Sequence, residues 1–386
     1  MKILYLIDGM FNSAGRERVV ANKAMYLSQL GHEVTILTTD QNQRPSYYPI
    51  PSCVKQFDLG INFADYADFN ILKRIYSFKK KENIFRSKIA NYLQNHPQDI
   101  VVTLVERFIP SLIRLKNKPV IIYECHFNKF AYAEMQKKFN KNIINQLIYR
   151  IRNVYISKKY FNKLDAFVVL TNEDKAYWGN VHKNIISIPN SITYESDKRA
   201  LLSNKIVISV GRLSYQKGYE RLIEAWNLVN KKVSDWELHI YGEGEDKTIL
   251  EDLINKYNLN NRIKIYPPTL EIQDKIAESS IYVLSSRFEG LPMVLLESMA
   301  LGVPIISYDC KTGPKDLITH GENGYLVPEG DIELLSEYII KLINSYELRL
   351  NLGDNAKKTA KEYSHDSIAL QWISLFSELI ENKSKK

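Results

Sequence analysis

Two glutamates in one short segment carry the clearest chemical signal in the chain. In SSRFEGLPMVLLESMALGVPIIS, Glu289 and Glu297 flank the point where a strand-like run passes through Gly290 into a helix-like one. Pro292 stands where the helix should begin, at a first position that does not need the missing N–H. The N–H groups around Gly290, Leu291 and Met293 are then unpaired and point outward, and with the helix dipole they form an anion site that suits a diphosphate. Glu289 lies just before that start and Glu297 inside the helix, so at roughly 1.5 Å per residue their carboxylates are separated by several ångströms along the axis. That is the reach of an extended ligand, not of one metal ion. Each carboxylate can accept two hydrogen bonds from a vicinal diol. Taken singly, the two residues could equally be surface glutamates on an ordinary helix.

Fixed positive charge is available in SVGRLSYQKGYERLIEAW, where Arg212 and Lys217 occupy the loop between a strand ending at Val210 and the next helix. Fixed cations of this kind can stabilise negative charge on a phosphate or diphosphate where no divalent ion does so. Alone, such an Arg and Lys would read as solvated. No Asp-x-Asp occurs in the sequence, so no catalytic metal and no other cofactor is expected.

Five further places could touch a ligand. DGMFNSAGRERVV puts Gly15 between the first strand and a helix, where glycine lets backbone approach closely, although a simple turn glycine would look the same. YECHFNKF sets His126 just past a strand, at the carboxyl edge where open α/β sheets bind ligands; a lone His is otherwise more often structural. Glu106 and Arg107, in TLVERF, face the same edge and are candidates for an acceptor, or a plain surface ion pair. Gly242 in YGEGEDK and Pro267 in YPP follow two later strands, and a Gly-x-Gly by itself is a weak signal.

Glu289 and Glu297 with seven residues between them, in EGLPMVLLESMALGVPII, resemble the E-x7-E signature of glycosyltransferase family 4, the retaining GT-B enzymes. The resemblance extends in order along most of the chain. It implies that Glu289 contacts the donor sugar, Glu297 the nucleotide ribose, and Arg212 and Lys217 the diphosphate. It further implies that His126 orients the donor sugar and that the Gly242 turn and Pro267 backbone lie along the nucleotide base. An N-terminal glycine loop at Gly15 faces the donor phosphates, although Ser13, Ala14 and Gly15 depart from the family's paired glycines. The implied activity is transfer of a hexose or N-acetylhexosamine from a nucleotide sugar, UDP-linked first, with retention. The mechanism it implies is a front-face displacement in which the departing phosphate takes the acceptor proton.

The elements that must position these residues are legible as apolar runs. Lys2 to Ile7, Glu33 to Thr38, Ile100 to Leu104, Val120 to Tyr123, Ala166 to Leu170 and Ile185 to Ile188 read as strands separated by helix-like stretches. Alternation of strand and helix predicts a parallel sheet, and continuous apolar runs predict one covered on both faces. After a polar stretch opening at Pro189 and Asn190 the pattern restarts with Ile206 to Val210, Glu237 to Tyr241, Arg262 to Tyr266, Ile281 to Leu284 and Val303 to Ser307. The expected fold is therefore α/β of GT-B type, two doubly wound Rossmann-like domains facing a cleft. Its expected parts are an acceptor domain at 1–190, a linker at 191–204, a donor domain at 205–365 and a C-terminal helix and tail at 366–386. Ile368, Trp372, Phe376 and Leu379 recur at helical spacing and need a partner surface, expected on the first domain.

Composition agrees with two packed domains: 386 residues, 45% hydrophobic and 25% charged. The opening MKILYLIDGM reads as a strand and not a leader, and no stretch reaches the roughly 20 apolar residues that span a bilayer. Three cysteines far apart form no disulfide framework, which fits a cytoplasmic protein. The net charge of +8 is unevenly placed, with eight Lys and Arg and no acid between Lys137 and Lys163, and a second basic run from Lys73 to Lys88. Such runs suit an anionic membrane surface or a solvated face. The expected partners are the nucleotide sugar and a glycan or polyprenyl-diphosphate-linked acceptor of cell-surface polysaccharide assembly, with no nucleic acid. A nicotinamide-dependent oxidoreductase is disfavoured, because G-x-G-x-x-G is missing after the first strand. A nucleotide-sugar epimerase or a non-catalytic sugar-nucleotide-binding protein on the same fold is the alternative.

Overall fold

A computed structural model of the chain describes residues 1–12, 15–63, 71–130, 159–192 and 198–385. Ser13, Ala14, most of the Lys137 to Lys163 basic run and part of the 191–204 stretch lie outside the described residues.

The first half contains β1 (Lys2–Ile7), α1 (Gly15–Gln29), β2 (Glu33–Thr38), β3 (Lys55–Asp58), α2 (Ile71–Asn95), β4 (Ile100–Thr103), α3 (Ile109–Leu112), β5 (Val120–Cys125), β6 (Ala166–Val169), α4 (Asn172–Trp178) and β7 (Ile185–Ser187). The strands form one sheet in the order β3-β2-β1-β4-β5-β6-β7, every pair parallel. Continuous apolar character serves both faces: Ile3, Tyr5 and Ile7 enter the core on one side, Leu4 and Leu6 that on the other.

The second half repeats the scheme with β8 (Ile206–Val210), α5 (Tyr219–Asn230), β9 (Glu237–Tyr241), α6 (Lys247–Lys256), β10 (Ile263–Tyr266), α7 (Ile272–Ala277), β11 (Ile281–Leu284), α8 (Met293–Ala300), β12 (Ile305–Asp309), α9 (Pro314–Leu317), β13 (Gly324–Pro328), α10 (Ile332–Ile343) and α11 (Tyr346–Lys361). Its sheet runs β10-β9-β8-β11-β12-β13, again parallel throughout. In both sheets the order reverses beside the first strand, at β1/β4 and at β8/β11. Loops leaving the carboxyl ends of strands diverge there and open a crevice. Asp8 and Arg107 follow β1 and β4; Lys217 and Glu289 follow β8 and β11.

The last helix, α12 (His365–Ser384), returns to the first domain. Ser364 caps it by accepting from the Ser367 N–H. Ile368, Trp372, Phe376 and Leu379 join the core formed by β1, α1 and β4, which gives the apolar stripe its partner.

Two strands have no counterpart among the runs expected from the sequence. β3 is an edge strand whose four residues, KQFD, are all exposed, so burial left no apolar pattern in it. β13, GYLVP, ends in Pro328 and borders only β12, an edge position where a missing N–H is tolerated. The basic run from Lys73 to Lys88 lies on α2; Phe85 and Ile89 are buried there, while Lys81 and Lys88 donate to the carbonyls of Asn62 and Leu59. Among the described residues no helix is long and apolar enough to cross a membrane. The three cysteines are free, and burial pushes the Cys125 thiol up to about 12, which makes it unreactive.

Candidate active site

The loop after β8 and the loop after β11 are joined edge to edge. Arg287 N–H donates to the Gln216 carbonyl at 2.8 Å, Gln216 Nε2 to the Phe288 carbonyl at 3.1 Å, and Ser285 Oγ to the Lys217 carbonyl at 2.9 Å. Gly218 has φ +61° and its Cα faces the Ser285 carbonyl so closely that no side chain fits. The result places Lys217 Nζ 2.7 Å from Glu289 Oε1, which also accepts from Ser286 Oγ at 2.5 Å. Both partners are largely enclosed, with side-chain exposures of 17% and 7%, so water screens the pair little. Glu289 Oε2 has no protein donor among the described residues and remains available for a ligand hydroxyl.

The Glu289 backbone is anchored as firmly as its side chain. Its N–H donates to the Lys311 carbonyl, and its carbonyl accepts from Thr312 Oγ1 and from Asn128 Nδ2 of the first domain. Gly290 permits this docking, since a Cβ there would stand 2.8 Å from the His126 carbonyl oxygen. The glycine therefore serves the approach of the two domains as well as any anion. Pro292 is the N-cap of α8 and not its first residue, with ψ 92°, and α8 begins at Met293. The N–H groups of Gly290 and Leu291 have no acceptor among the described residues, in keeping with an anion-binding helix start. Glu297, on α8, is 4% exposed and lies 3.2 Å from Arg18 Nη1 of α1.

Arg212 is not gathered into this cluster. Its side chain is 74% exposed and pairs with Glu245 at 3.1 Å, a surface contact that a stronger anion could displace. Gly242 and Gly244 lie beneath the Arg212 loop; a Cβ on either would overlap the carbonyl of Gly211 or Leu213. Their role in the described residues is close packing of backbone. Pro267 borders a separate cavity of about 410 Å³ with Tyr241, Tyr266, Thr269 and Lys275, whose lining includes neither Lys217 nor either glutamate. Tyr241 and Tyr266 stack there with centroids 4.8 Å apart.

In the first domain β5 runs two residues further than expected, to Cys125, so His126 follows it directly. Its Nε2 lies 2.9 Å from Glu124 Oε1. Arg107 pairs with Asp8 across the β1/β4 crevice and not with Glu106. Together with Glu17, Asp40 and Arg44 they line a cavity of about 390 Å³, from which Glu106 is absent. Glu17, 2% exposed, carries a buried carboxylate oxygen with no hydrogen-bond partner among the described residues. Gly15 begins α1 with open space where a side chain would be. Among the described residues no three His, Cys, Asp or Glu side chains are grouped to hold a metal ion.

Sequence reasoning missed Arg18, Glu17, Asp8, Asn128, Ser286 and Thr312. Glu17 and Arg18 stand in GRERVV on a helix whose burial the sequence does not show; Asp8 and Arg107 are far apart in the chain, and only the strand order unites them.

Comparison with known proteins agrees with this architecture. Residues 14–195 match the model of Glycosyltransferase Family 4, and residues 193–359 that of Glycosyl transferases group 1. An uncharacterized glycosyltransferase of Haemophilus influenzae is 29% identical over 374 residues, 96% of this chain and 98% of that protein. The amylovoran biosynthesis glycosyltransferase AmsD of Erwinia amylovora is 28% identical over 389 residues, with the same coverage. A TarM variant from S. aureus, solved with fondaparinux, alpha-GlcNAc-glycerol and UDP, superposes with a TM-score of 0.76 over 97% of this chain and 100% of its own; at 18% identity the likeness concerns fold. Two family models that adjoin at the junction of the two sheets, on a chain with the doubly wound order in both, place it: the chain belongs to the family 4, group 1 type of GT-B glycosyltransferases.

Proposed function

We propose that this glycosyltransferase moves a hexose or N-acetylhexosamine from a nucleotide sugar, UDP-linked first, to a glycan or lipid-linked glycan in cell-surface polysaccharide assembly, with retention and without a divalent metal. The observation that carries the reading is the Lys217–Glu289 pair at the β8/β11 crevice, beside the helix start of α8. One carboxylate oxygen is held by Lys217 and Ser286, and the other is left for a donor-sugar hydroxyl. Lys217 and the N–H groups before α8 meet the diphosphate, joined by Arg212 once it leaves Glu245, and Glu297 meets the ribose. His126 lies beside Gly290 to orient the sugar, while the Arg107 cavity across the cleft admits the acceptor. Pro267 backbone and the Gly242 turn lie along the base.

In the proposed step the bond from the anomeric carbon to the phosphate oxygen breaks and a bond from the acceptor oxygen forms on the same face. The departing phosphate oxygen takes the acceptor proton. Fixed cations stabilise the charge that develops on it. The likeness to AmsD and to the UDP-bound TarM supports the polysaccharide setting and the choice of donor. The test is proton NMR of the product formed from a panel of UDP- and GDP-sugars in the presence of EDTA. An axial anomeric product from an axial donor, formed at undiminished rate, supports the reading; inversion, or activity restored only by added metal, overturns it.

A further inference from the structure

Glu124 is fully buried at the end of β5, two residues before His126. Its Oε1 accepts from Lys23 Nζ of α1 and lies 2.9 Å from His126 Nε2. Lys23 is itself 1% exposed, and its ammonium stands 4.1 Å from the centroid of the Trp372 ring on α12. Two elements far apart in the chain, α1 and β5, thus meet at one carboxylate, and a third, α12, covers its ammonium partner.

A buried charge persists only when paired. Burial alone would raise the Glu124 carboxyl; the Lys23 ammonium and the His126 ring outweigh it and bring it down to about 2. Burial also draws Lys23 down, against the attraction of Glu124. The other titratable groups at the pair are the phenols of Tyr5 on β1 and Tyr26 on α1, which burial holds in the protonated form. Asp174 of α4 borders the small space that His126 shares with Gly290.

The consequence for His126 follows from donor and acceptor chemistry. An ionised carboxylate has no hydrogen to give, so the hydrogen of the Glu124–His126 bond sits on Nε2. No described protein group is hydrogen-bonded to the other nitrogen, Nδ1.

We propose that Glu124, paired with Lys23, is a positioning residue that selects, for the neutral imidazole of His126, the tautomer with its hydrogen on Nε2, presenting Nδ1 as an acceptor for a hydroxyl of the donor sugar. The contact with the sugar rests on the role given to His126 above; the tautomer does not. Trp372 makes the C-terminal helix part of the lock, which gives that helix a link to the cleft beyond packing.

The tautomer can be read in the full-length protein labelled with imidazole ¹⁵N, with His126 assigned by the loss of its signals in His126→Ala. At about pH 8, above the ordinary imidazole range near 6.5, wild type should show hydrogen on Nε2 and none on Nδ1. The double variant Lys23→Met/Glu124→Leu, which leaves no acceptor for Nε2 and no unpaired buried charge, should remove that preference, and its transfer kcat should fall roughly 10- to 100-fold, the scale of a misplaced group, with the donor KM little changed. If the double variant does not fold, the wild-type spectrum still decides. Hydrogen on Nδ1 in wild type, or His126 signals unchanged in the double variant, would overturn the proposal. An altered tautomer with undiminished transfer would uphold the lock and overturn the role given to His126.

Discussion

Arg18 Nη1 on α1 and Glu297 Oε1 on α8 stand 3.2 Å apart, so an ion pair spans the cleft at the carboxylate assigned to the ribose. A carboxylate offers about four lone-pair sites, enough to hold the guanidinium and a diol together. Removing Glu297 should therefore weaken UDP binding more than removing Arg18. Glu297→Gln is expected to raise the UDP Kd about tenfold or more, near 1.4 kcal/mol, by titration calorimetry. Arg18→Ala should leave that Kd within about threefold and act on kcat, since the pair exists only when the domains meet.

Two glycines should respond differently to the same substitution. Gly242→Ala puts a methyl group into the Gly211 carbonyl, deep under the Arg212 loop, and should lower unfolding stability by about 1–3 kcal/mol in urea melts. Gly290→Ala meets the His126 carbonyl of the other domain, which can yield by parting the cleft. Its stability should stay within about 1 kcal/mol of wild type while transfer falls at least roughly tenfold. Equal stability losses in both would remove the domain-docking role from Gly290.

Asp174 gives the molecule a pH dependence of calculable sign. Burial raises its carboxyl to about 6, against the N–H groups of Lys129 and Trp178 that favour the ionised form. The native state then holds a proton that the unfolded chain has released between about pH 4 and 6, so this group's contribution to stability is full below that window and declines as pH rises through it. The decline should be on the order of 2–3 kcal/mol. Asp174→Asn should flatten the stability profile in that window, measured by denaturant titration at several pH values; an unchanged profile would count against the shift.

Trp372 anchors α12 in the first-domain core and faces Lys23. Trp372→Ala should cost about 3–5 kcal/mol. It should also perturb His126 through Lys23, whereas Leu370→Ala, at a residue 67% exposed on the same helix, should do neither.

The basic run on α2 presents Lys79, Lys80 and Tyr76 to solvent. If this face lies on anionic lipid, the protein should sediment with phosphatidylserine vesicles at low salt and be released as ionic strength rises, because screening shortens the attraction. Absence of binding at low salt would remove the membrane from the account.

Much of this was legible in the sequence because buried parallel strands must be apolar throughout. That requirement exposed eleven strands and, with them, the loops carrying Glu289, Lys217 and His126. Strands β3 and β13 escaped because edge strands need no such run. The ion pairs escaped for a different reason. Arg18 and Glu297, or Asp8 and Arg107, are joined only by the order of strands and the meeting of domains, which local pattern does not encode. Lys23 and Glu124 did leave a trace: Lys23 has Val19, Val20, Tyr26 and Leu27 at helical spacing around it, and Glu124 interrupts the apolar strand VIIYEC. A charge with apolar neighbours on every side is a buried charge in want of a partner.

The central claim is that the Lys217–Glu289 pair is the donor-sugar and diphosphate site, and release of UDP from UDP-hexoses and UDP-N-acetylhexosamines by wild type, Glu289→Gln and Lys217→Met tests it most directly. The account predicts turnover of one of these donors by wild type and a loss of at least roughly 100-fold in each variant, on the scale of a removed transition-state contact, with the fold retained. Turnover by Glu289→Gln at the wild-type rate would contradict it.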